Sequence, residues 1–331
     1  MLKECVEKLI RRENLSSDEC DGSLEEIIKG DTPCLTTAFL VLLKAKGETA
    51  DEIYGIAKAM RNSMVKVRTS SDVMDIVGTG GDGQHTVNIS TASALLAAAC
   101  GVKIAKHGNR SVSSMCGSAD VLSALGIDIN KNAQEASKSI EKDNFAFLFA
   151  PNYHGAMSKI APVRKALGVP TCFNILGPLL NPACAKYIMI GVYKRDLLDI
   201  ISDALIKLGV KKALVYHGQE MDELTTAGIS EAYEIENKSK LLTTINPQDY
   251  GFDKCSIEDL KGGDPQKNAL ILKKVFKGEC DPISDSIVLN AAFALKIYGI
   301  CPSVKDGIKL AKTALFNACV EQLIKRLSTS Y

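Results

Sequence analysis

A glycine-rich turn after a short apolar run is the first segment of this chain that could do chemistry. The run at residues 73–77 stops at Gly78-Thr79-Gly80-Gly81-Asp82-Gly83, and Asn88-Ile89-Ser90-Thr91 then opens an Ala- and Leu-rich stretch. Glycines let backbone N–H groups approach an anion, and the following helix offers its positive N-terminus. Four glycines in six residues ahead of a helix favour an anion site over a simple turn.

Two better-known phosphate motifs do not fit this turn. The glycine pattern formally matches a dinucleotide fingerprint, but that motif needs an acidic residue about 20 positions further on to bind a ribose hydroxyl. Residues 83–119 contain no Asp or Glu. A Walker A loop needs a Gly-Lys-Ser/Thr ending, which is also missing. The general anion site remains.

A basic segment follows the next predicted strand, at residues 102–105. It reads Lys106-His107-Gly108-Asn109-Arg110-Ser111-Val112-Ser113-Ser114 and lies inside the acid-free stretch. Together with Lys103, its cations predict a local positive field that suits phosphate or pyrophosphate.

A second acid-free stretch, residues 145–195, contains Tyr153-His154, Arg164 and a turn at residues 174–182 that is rich in Asn, Gly and Pro. A guanidinium can hold a carboxylate through two hydrogen bonds, so Arg164 is a candidate for binding an acidic substrate. The alternative for Arg164 is an exposed helix face, and the residue alone does not decide between them.

Adjacent carboxylates, Asp222 and Glu223, follow the predicted strand at residues 213–216. Such pairs are more often surface charge, but the other candidate site residues here are cationic or neutral. A diphosphate needs a metal ion to spread its charge, so this pair is a candidate Mg²⁺ anchor.

The elements that must position these residues change character along the chain. Residues 1–66 show helical spacing of apolar residues and no convincing strand, which predicts a small helical bundle. From residue 67 to 331, strands alternate with helices, which predicts an α/β domain with a mostly parallel sheet. Helical segments near residues 160–185 are expected to join the bundle. Ligands collect at strand carboxyl ends in such sheets, so the candidate loops should face one crevice.

Composition excludes several classes of protein. The chain has 331 residues, 46% hydrophobic and 24% charged, with a net charge of 40 − 39 = +1 and no Trp. This balance is typical of a globular domain and argues against a nucleic-acid binder. Eleven cysteines without a Cys-x-x-Cys pair, no signal peptide and no membrane-length apolar run predict a soluble cytoplasmic protein.

In their order along the chain, the glycine turn, Asn88–Thr91, Lys106–Arg110, the 174–182 segment and Asp222-Glu223 resemble the motif set of the anthranilate phosphoribosyltransferase family. The resemblance covers essentially the whole chain. It implies transfer of a phosphoribosyl group from phosphoribosyl pyrophosphate to anthranilate, the second step of tryptophan biosynthesis from anthranilate. It also implies a helical domain joined to an α/β domain, usually in a homodimer.

The resemblance further implies the roles of individual residues. Two Mg²⁺ ions per monomer would be held by Ser90, Asp222 and Glu223, and anthranilate would contact Gly78, Asn109 and Arg164. No acid, base or nucleophile is assigned, because the amine of anthranilate is unprotonated at neutral pH. The phosphoribosyl pyrophosphate site would comprise Gly78, Gly81, Asp82, Thr86, Asn88, Ile89, Ser90, Thr91, Lys106, His107, Gly108, Asn109, Arg110, Ser111, Val112, Ser113, Ser114 and Ser118.

Two other functions remain to be separated from this one. A pyrimidine-nucleoside phosphorylase shares the fold family, but its phosphate loop is expected to differ from residues 106–110. A relative that has lost catalysis and binds nucleic acid is disfavoured by the net charge of +1 and by the intact acidic pair.

Overall fold

The computed structural model of this protein describes residues 1–111 and 115–328. Four helices open the chain: α1 Leu2–Ile10, α2 Ser17–Lys29, α3 Pro33–Lys46 and α4 Ala50–Ser63. Two of these helices begin with a capping box, formed by Ser16 and Glu19 in α2 and by Thr49 and Glu52 in α4. These reciprocal bonds satisfy backbone donors that a helix start leaves free.

A seven-stranded sheet forms the larger part of the molecule. Its strands are β1 Met74–Gly78, β2 Ile104–Gly108, β3 Phe145–Phe149, β4 Tyr187–Gly191, β5 Lys212–Gly218, β6 Ser230–Glu236 and β7 Ser239–Ile245. The strand order is β3-β2-β1-β4-β5-β6-β7. The first five strands are parallel, and β6 and β7 add an antiparallel hairpin at one edge. The predicted class, a helical domain with a mostly parallel α/β domain, is confirmed.

The remaining α-helices cover the sheet and connect its strands. They are α5 Ile89–Ala99, α6 Ser118–Ala124, α7 Ala133–Asp143, α8 Ala150–Tyr153, α9 Met157–Leu167, α10 Phe173–Leu176, α11 Leu197–Lys207, α12 Pro265–Phe276, α13 Pro282–Tyr298, α14 Val304–Phe316 and α15 Cys319–Leu327. Helix α9 packs against α2 and α3, so this part of the later chain lies on the bundle. No helix among the described residues is long and apolar enough to cross a bilayer.

Two hydrophobic cores lie on opposite faces of the sheet. One core joins Ile104 and Leu214 to α5 and α13, and the other joins Ala105 and Val215 to the N-terminal bundle. Side chains alternate between faces along a strand. Lys106 therefore shares the α5 face with Ile104, and His107 shares the bundle face with Ala105.

The structure corrects the predicted elements in two places. Strand β2 runs to Gly108, so Lys106 and His107 are buried strand residues and not part of the loop after the strand. Parallel pairing with β3 extends as far as Gly108 with Phe149, which continues the strand beyond its apolar run. The β6–β7 hairpin was not predicted, because its two-residue turn at Asn237 and Lys238 lacks the glycine that usually marks such turns.

Candidate active site

The glycine turn is held against the acidic pair. Asp222 Oδ2 accepts a hydrogen bond from the Gly80 N–H at 2.5 Å. A Cβ placed at Gly78 would lie 2.2 Å from that same oxygen, so the absence of a side chain allows the approach. Gly80 and Gly81 have φ values of +70° and +87°, which favour glycine. The structure thus brings together two segments that are far apart in the sequence.

The side chain of Glu223 lies against the N-terminus of α5. Its Oε1 accepts a hydrogen bond from the Ser90 N–H at 3.2 Å, and its Oε2 is buried with no partner among the described residues. Burial raises the pKa of Asp222 to about 7, and the charge of Asp82 adds to this. Burial, followed by the charge of Asp222, raises the pKa of Glu223 to about 8. Two buried carboxylates with raised pKa values, one of which has an unpartnered oxygen, are suited to binding a cation.

Lys106 is fully buried on the same face and donates a hydrogen bond to the Ile76 carbonyl at 2.5 Å. Burial lowers the pKa of Lys106, while Asp75, Glu223 and Asp222 oppose that change. The lysine is therefore an internal counter-charge for the acids. It does not extend into solvent as the loop position predicted from the sequence would require.

Asp75, on β1, joins two candidate segments beneath the site. Its Oδ1 accepts a hydrogen bond from the His107 N–H at 3.2 Å, and its Oδ2 accepts one from Asn181 Nδ2 at 2.7 Å. Asn181 Nδ2 also donates to the Ala105 carbonyl at 2.7 Å. Burial raises the pKa of Asp75 to about 6, against the opposing charge of Lys106. The end of β2 and the 174–182 turn are thereby fixed to one another.

His107 lies on the other face of the sheet, towards the bundle. Its Nδ1 is 3.2 Å from the Gly177 carbonyl, and its Nε2 is 3.2 Å from His154 Nε2. Burial lowers the pKa of His107 to about 3, so the ring is neutral. Because a carbonyl only accepts, Nδ1 carries the proton and His154 donates to His107 Nε2. Both ring nitrogens of His107 are therefore occupied.

The basic loop is neutralised more than the sequence suggested. Arg110 Nη1 donates to Asp120 Oδ1 at 2.8 Å, and Asp120 Oδ2 accepts from the Ser111 N–H at 3.0 Å. Asp120 lies just beyond the acid-free stretch. Lys103 pairs with Glu141 at the amino end of β2, away from the candidate loops, so it does not add to their field. Asp120 and Glu141 both lie outside the acid-free stretch of residues 83–119, and the fold brings them next to these cations.

The rest of the basic segment has mixed accessibility. Asn109 is exposed, and its carbonyl accepts a hydrogen bond from Ser118 Oγ at 3.2 Å. A Cβ at Gly108 would lie 2.3 Å from that same Ser118 Oγ, so the glycine permits this closure. Three residues of the predicted phosphate site, Val112, Ser113 and Ser114, lie outside the described residues.

The start of α5 offers backbone groups more than side chains. Ile89 and Thr91 are buried in the core, and the Asn88 amide donates to the Cys116 carbonyl while accepting from Asn268. In the turn before the helix, Gly81 is exposed and Asp82 and Thr86 are half-buried. A ligand here would meet main-chain N–H groups and the half-buried Ser90, as expected for an anion at a helix N-terminus.

Arg164 lies on α9, on the bundle side of the cleft. Its Nη2 donates to Asn174 Oδ1 at 3.3 Å, and its guanidinium lies 5.5 Å from the centre of the Phe173 ring. No ion pair of Arg164 is found among residues 1–111 and 115–328. A half-buried guanidinium stacked on an aromatic ring, without a carboxylate partner, is suited to binding an acidic ligand.

The sequence analysis gave no role to three residues that are buried beneath or beside the candidate loops: Asp75, Tyr216 and Asn181, the last of which lies in the 174–182 turn. Asp75 interrupts an apolar strand with a charge, which is a signal that a buried partner exists. Nothing in the sequence pairs it with Asn181. Tyr216 reads simply as an aromatic strand residue.

The carboxyl ends of β1 and β2 thus carry two different half-sites. On the α5 face lie the glycine turn, Lys106 and the acidic pair, and on the bundle face lie His107 and Arg164. Gly78 ends β1, and Asn109 follows Gly108 at the end of β2.

Comparison with known proteins agrees with this architecture. Residues 3–64 match the helical bundle domain of a glycosyl transferase family, and residues 70–318 match its α/β domain. Anthranilate phosphoribosyltransferase from Chlamydia felis is 43% identical over 316 residues, covering 95% of this chain and 92% of that protein. The protein of that name from Thermoanaerobacter is 46% identical over 314 residues, covering 94% of this chain and 93% of its own length. This chain belongs to the anthranilate phosphoribosyltransferase family.

Solved structures of the anthranilate phosphoribosyltransferase family superpose on nearly the whole chain. The enzyme from Thermus thermophilus has a TM-score of 0.92 and 39% identity, with 98% of both chains covered. The enzyme from Saccharomyces cerevisiae, solved in complex with phosphoribosyl pyrophosphate and Mg, has a TM-score of 0.90 and 28% identity, covering 98% of this chain and 96% of that one.

Proposed function

We infer that this chain is an anthranilate phosphoribosyltransferase: it transfers the phosphoribosyl group of phosphoribosyl pyrophosphate to anthranilate, releasing pyrophosphate. The product is N-(5-phosphoribosyl)anthranilate, the second step of tryptophan biosynthesis from anthranilate. The observation that carries this function is the pair of half-sites at the ends of β1 and β2. An acidic pair beside an amide-lined turn suits a diphosphate, and an unpaired arginine across the strand ends suits a benzoate.

The diphosphate half-site uses backbone groups and buried charge. We assign to phosphoribosyl pyrophosphate the residues Gly78, Gly81, Asp82, Thr86, Asn88–Thr91, Lys106–Ser111 and Ser118, together with Val112, Ser113 and Ser114, which lie outside the described residues. Gly81 has open space around its Cα, so a phosphate oxygen can approach its backbone closely. Fixed N–H dipoles stabilise the charge that grows on the departing pyrophosphate.

Mg²⁺ fits the acidic pair on the charge balance of the buried groups. Among the described residues, three buried carboxylates, Asp75, Asp222 and Glu223, lie near one fully buried cation, Lys106, and Glu223 Oε2 has no donor. No group of three His, Cys, Asp or Glu within 1–111 and 115–328 could hold a metal by itself, so substrate oxygens must complete the coordination. We propose two ions per monomer, held by Ser90, Asp222 and Glu223. Bound Mg²⁺ would spread the charge of the leaving pyrophosphate.

We place anthranilate between the two half-sites, at the carboxyl ends of β1 and β2. Its carboxylate is assigned to Arg164, and its ring and amine to the space beside Gly78 and Asn109. The amine needs no strong base, and His107 is neutral with both ring nitrogens bonded. The protein's main task is therefore to hold the amine within attack distance of the anomeric carbon.

The function is tested by loss of anthranilate fluorescence with phosphoribosyl pyrophosphate and Mg²⁺, each omitted in turn. Turnover is expected only with all three present. A folded protein that leaves anthranilate unchanged under fresh substrates would refute the activity. Replacing anthranilate and phosphoribosyl pyrophosphate by a pyrimidine nucleoside and phosphate tests for phosphorolysis. Titration with single-stranded DNA tests for nucleic-acid binding.

The metal role has its own test. The double change Asp222→Asn with Glu223→Gln keeps side-chain shape and removes charge. It is expected to shift the Mg²⁺ dependence to higher concentration and to lower the maximum rate. If the pair acted as a general base, the Mg²⁺ curve would stay in place and the acid limb of the pH–rate profile would disappear.

We also propose a homodimer through the helical domain, residues 1–66. Ile10 on α1 and Val41 on α3 are exposed although these helices pack together, which supports an apolar contact surface there. Val41→Lys should then convert a dimer to a monomer in light scattering. We place the enzyme in the cytoplasm, and the eleven free thiols of the chain support a reducing compartment.

A further inference from the structure

Tyr216 is a buried tyrosine whose hydroxyl is unexplained by packing. It lies on β5, on the α5 face of the sheet, with none of its surface exposed. Its hydroxyl makes no hydrogen bond to any residue that the structure describes. Burying a hydroxyl without a partner costs free energy that a phenylalanine of nearly the same shape would avoid.

The ring of Tyr216 lies close to the main chain of Asp222. Tyr216, Gly191 and Gly78 form a row across β5, β4 and β1, paired in register. A Cβ at Gly191 would lie 3.0 Å from Tyr216 Cε2 and 1.7 Å from the Asp222 carbonyl oxygen. The ring edge and the main chain of Asp222 therefore both lie next to Gly191. Burial and the carboxylates of Glu223 and Asp222 raise the pKa of Tyr216 well above its ordinary value, so its hydroxyl remains a donor.

Glu223 offers the matching acceptor. Its Oε1 is held by the Ser90 N–H, whereas its Oε2 is buried without a donor in the described part of the chain. A donor and an acceptor, both buried and both unpartnered, thus belong to neighbouring groups of one site. With a divalent ion bound at the acidic pair, a second hydrogen bond to Glu223 would fix the orientation of its carboxylate.

We propose that Tyr216 is a positioning residue for the metal-binding pair: its hydroxyl donates to Glu223 and orients that carboxylate towards the ion. The inference rests on the metal role given to Asp222 and Glu223 above. It adds a residue outside the loops that carry the family motifs, and it acts through Glu223 without contacting either substrate.

The test compares Tyr216→Phe with Tyr298→Phe. Tyr298 also donates a hydrogen bond from its hydroxyl, to the Asp72 carbonyl at 2.9 Å, but at the amino end of β1. Mn²⁺ binding is measured by electron paramagnetic resonance in the presence of inorganic pyrophosphate. Loss of a hydrogen bond to a metal ligand typically weakens metal affinity roughly tenfold or more. We expect a rise of that size in the Mn²⁺ dissociation constant for Tyr216→Phe and none for Tyr298→Phe.

Thermal unfolding without metal supplies a second readout. Tyr216→Phe should leave the midpoint unchanged or raise it, because its hydroxyl is unpaired before the ion binds. Tyr298→Phe should lower it by removing an existing bond. The chain has no Trp, so near-ultraviolet absorbance reports tyrosine. Addition of Mg²⁺ with pyrophosphate should perturb that absorbance in the wild type, and Tyr216→Phe should lose this change.

Equal Mn²⁺ affinity in the wild type and Tyr216→Phe overturns the role of Tyr216 and leaves the metal site standing. A metal-free midpoint that falls in Tyr216→Phe as far as in Tyr298→Phe also overturns it, since the hydroxyl would then have an ordinary structural bond. A wild-type protein that binds no Mn²⁺ overturns the metal role of the acidic pair itself, and with it this inference.

Discussion

Asp222 crosses the end of strand β4 directly over Gly191, at a distance that leaves no room for any side chain. A Cβ at Gly191 would lie 1.7 Å from the Asp222 carbonyl oxygen, and one at Gly78 in the neighbouring strand would lie 2.2 Å from its carboxylate. Two register-paired glycines therefore form a seat for the acidic pair. The strands therefore set the position of the candidate metal ligands and of the loop that carries these ligands.

Gly191→Ala should displace this loop. Overpacking of this kind costs roughly 1–3 kcal/mol of stability, and the displaced acidic pair should require more Mg²⁺ for half-maximal activity. Urea unfolding and an Mg²⁺ titration of activity measure the two effects. Gly155→Ala is the matched control, since a Cβ there meets nothing within 4 Å. An unchanged Mg²⁺ dependence in Gly191→Ala would show that the seat does not matter for the metal.

Arg164→Ala should raise the KM for anthranilate far more than the KM for phosphoribosyl pyrophosphate. The Arg164 guanidinium hydrogen-bonds to Asn174 and lies over the Phe173 ring, and it makes no ion pair within the described residues, which leaves its charge available for a carboxylate. Losing a charge-assisted hydrogen bond costs about 1.5–3 kcal/mol, or roughly ten- to hundredfold in affinity. Steady-state kinetics with each substrate varied provide the measurement. Lys165→Ala, the exposed neighbour, is the control, and equal weakening of both substrates would assign Arg164 a structural role.

Metal-free protein should lose stability as the pH rises. The folded-state pKa values of Asp222 and Glu223 are raised to about 7 and about 8, whereas in the unfolded chain such groups titrate near about 4. Between these values the folded state holds protons that the unfolded chain has released, so the free energy of unfolding falls with increasing pH. Mg²⁺ should restore more stability at about pH 8 than at about pH 6, because it binds the ionised pair.

Urea unfolding in a chelator, repeated across this pH range, measures that slope. The variant Asp222→Asn with Glu223→Gln should show a shallower slope, since its amides do not titrate. Asp75, with its pKa raised to about 6, leaves a residual dependence at the lower end of the range. A slope that is the same in both proteins would mean that other groups control the pH dependence.

Asp75→Asn should be strongly destabilising. The substitution removes the charge opposite buried Lys106 and places an amide against the Asn181 amide, which already donates to Asp75. Leaving buried hydrogen-bonding groups without a partner costs about 1–3 kcal/mol, and more where a charge is involved. Asp199→Asn removes an exposed ion pair with Lys240 and should cost less than about 1 kcal/mol. Chemical unfolding of both variants measures the two losses of stability. A small loss in Asp75→Asn would mean that the charges of Asp75 and Lys106 are not coupled.

The double swap Asp75→Asn with Asn181→Asp provides a check on this reasoning. It retains one buried negative charge and one amide–carboxylate hydrogen bond, so part of the stability should return. The hydrogen bond from Asn181 to the Ala105 carbonyl is lost in the swap, which limits the recovery.

The chemistry-bearing segments could be found from the sequence because local rules govern them. Glycine tolerance of positive φ marks the turn at 78–83, and hydroxyl and amide residues mark the start of α5. Alternation of apolar runs and helical periods identified the α/β class, and the carboxyl-end rule placed the loops in one crevice. The residue roles assigned within that crevice remain predictions.

Other features depend on pairing between distant residues. The end of β2 was placed too early because Lys106 and His107 are polar, and their buried polar groups are paired with Ile76, Asp75 and Gly177 from other parts of the chain. The cations of the basic segment were over-counted because Glu141 and Asp120, which pair with Lys103 and Arg110, lie outside the acid-free window. Charge neutralisation is a matter of spatial distance, which composition along the chain does not report.

The sequence by itself predicted which segments could bind an anion, a metal ion and a carboxylate, since those capacities belong to residue types and to short-range backbone geometry. Only the tertiary structure decided that Lys106 and His107 leave the sheet on opposite faces, that Asp222 rests on Gly78 and Gly191, and that Tyr216 lies beside the acidic pair. The physical reason is that strand register converts a shift of one residue into a change of face. Register is fixed by the packing of the whole sheet.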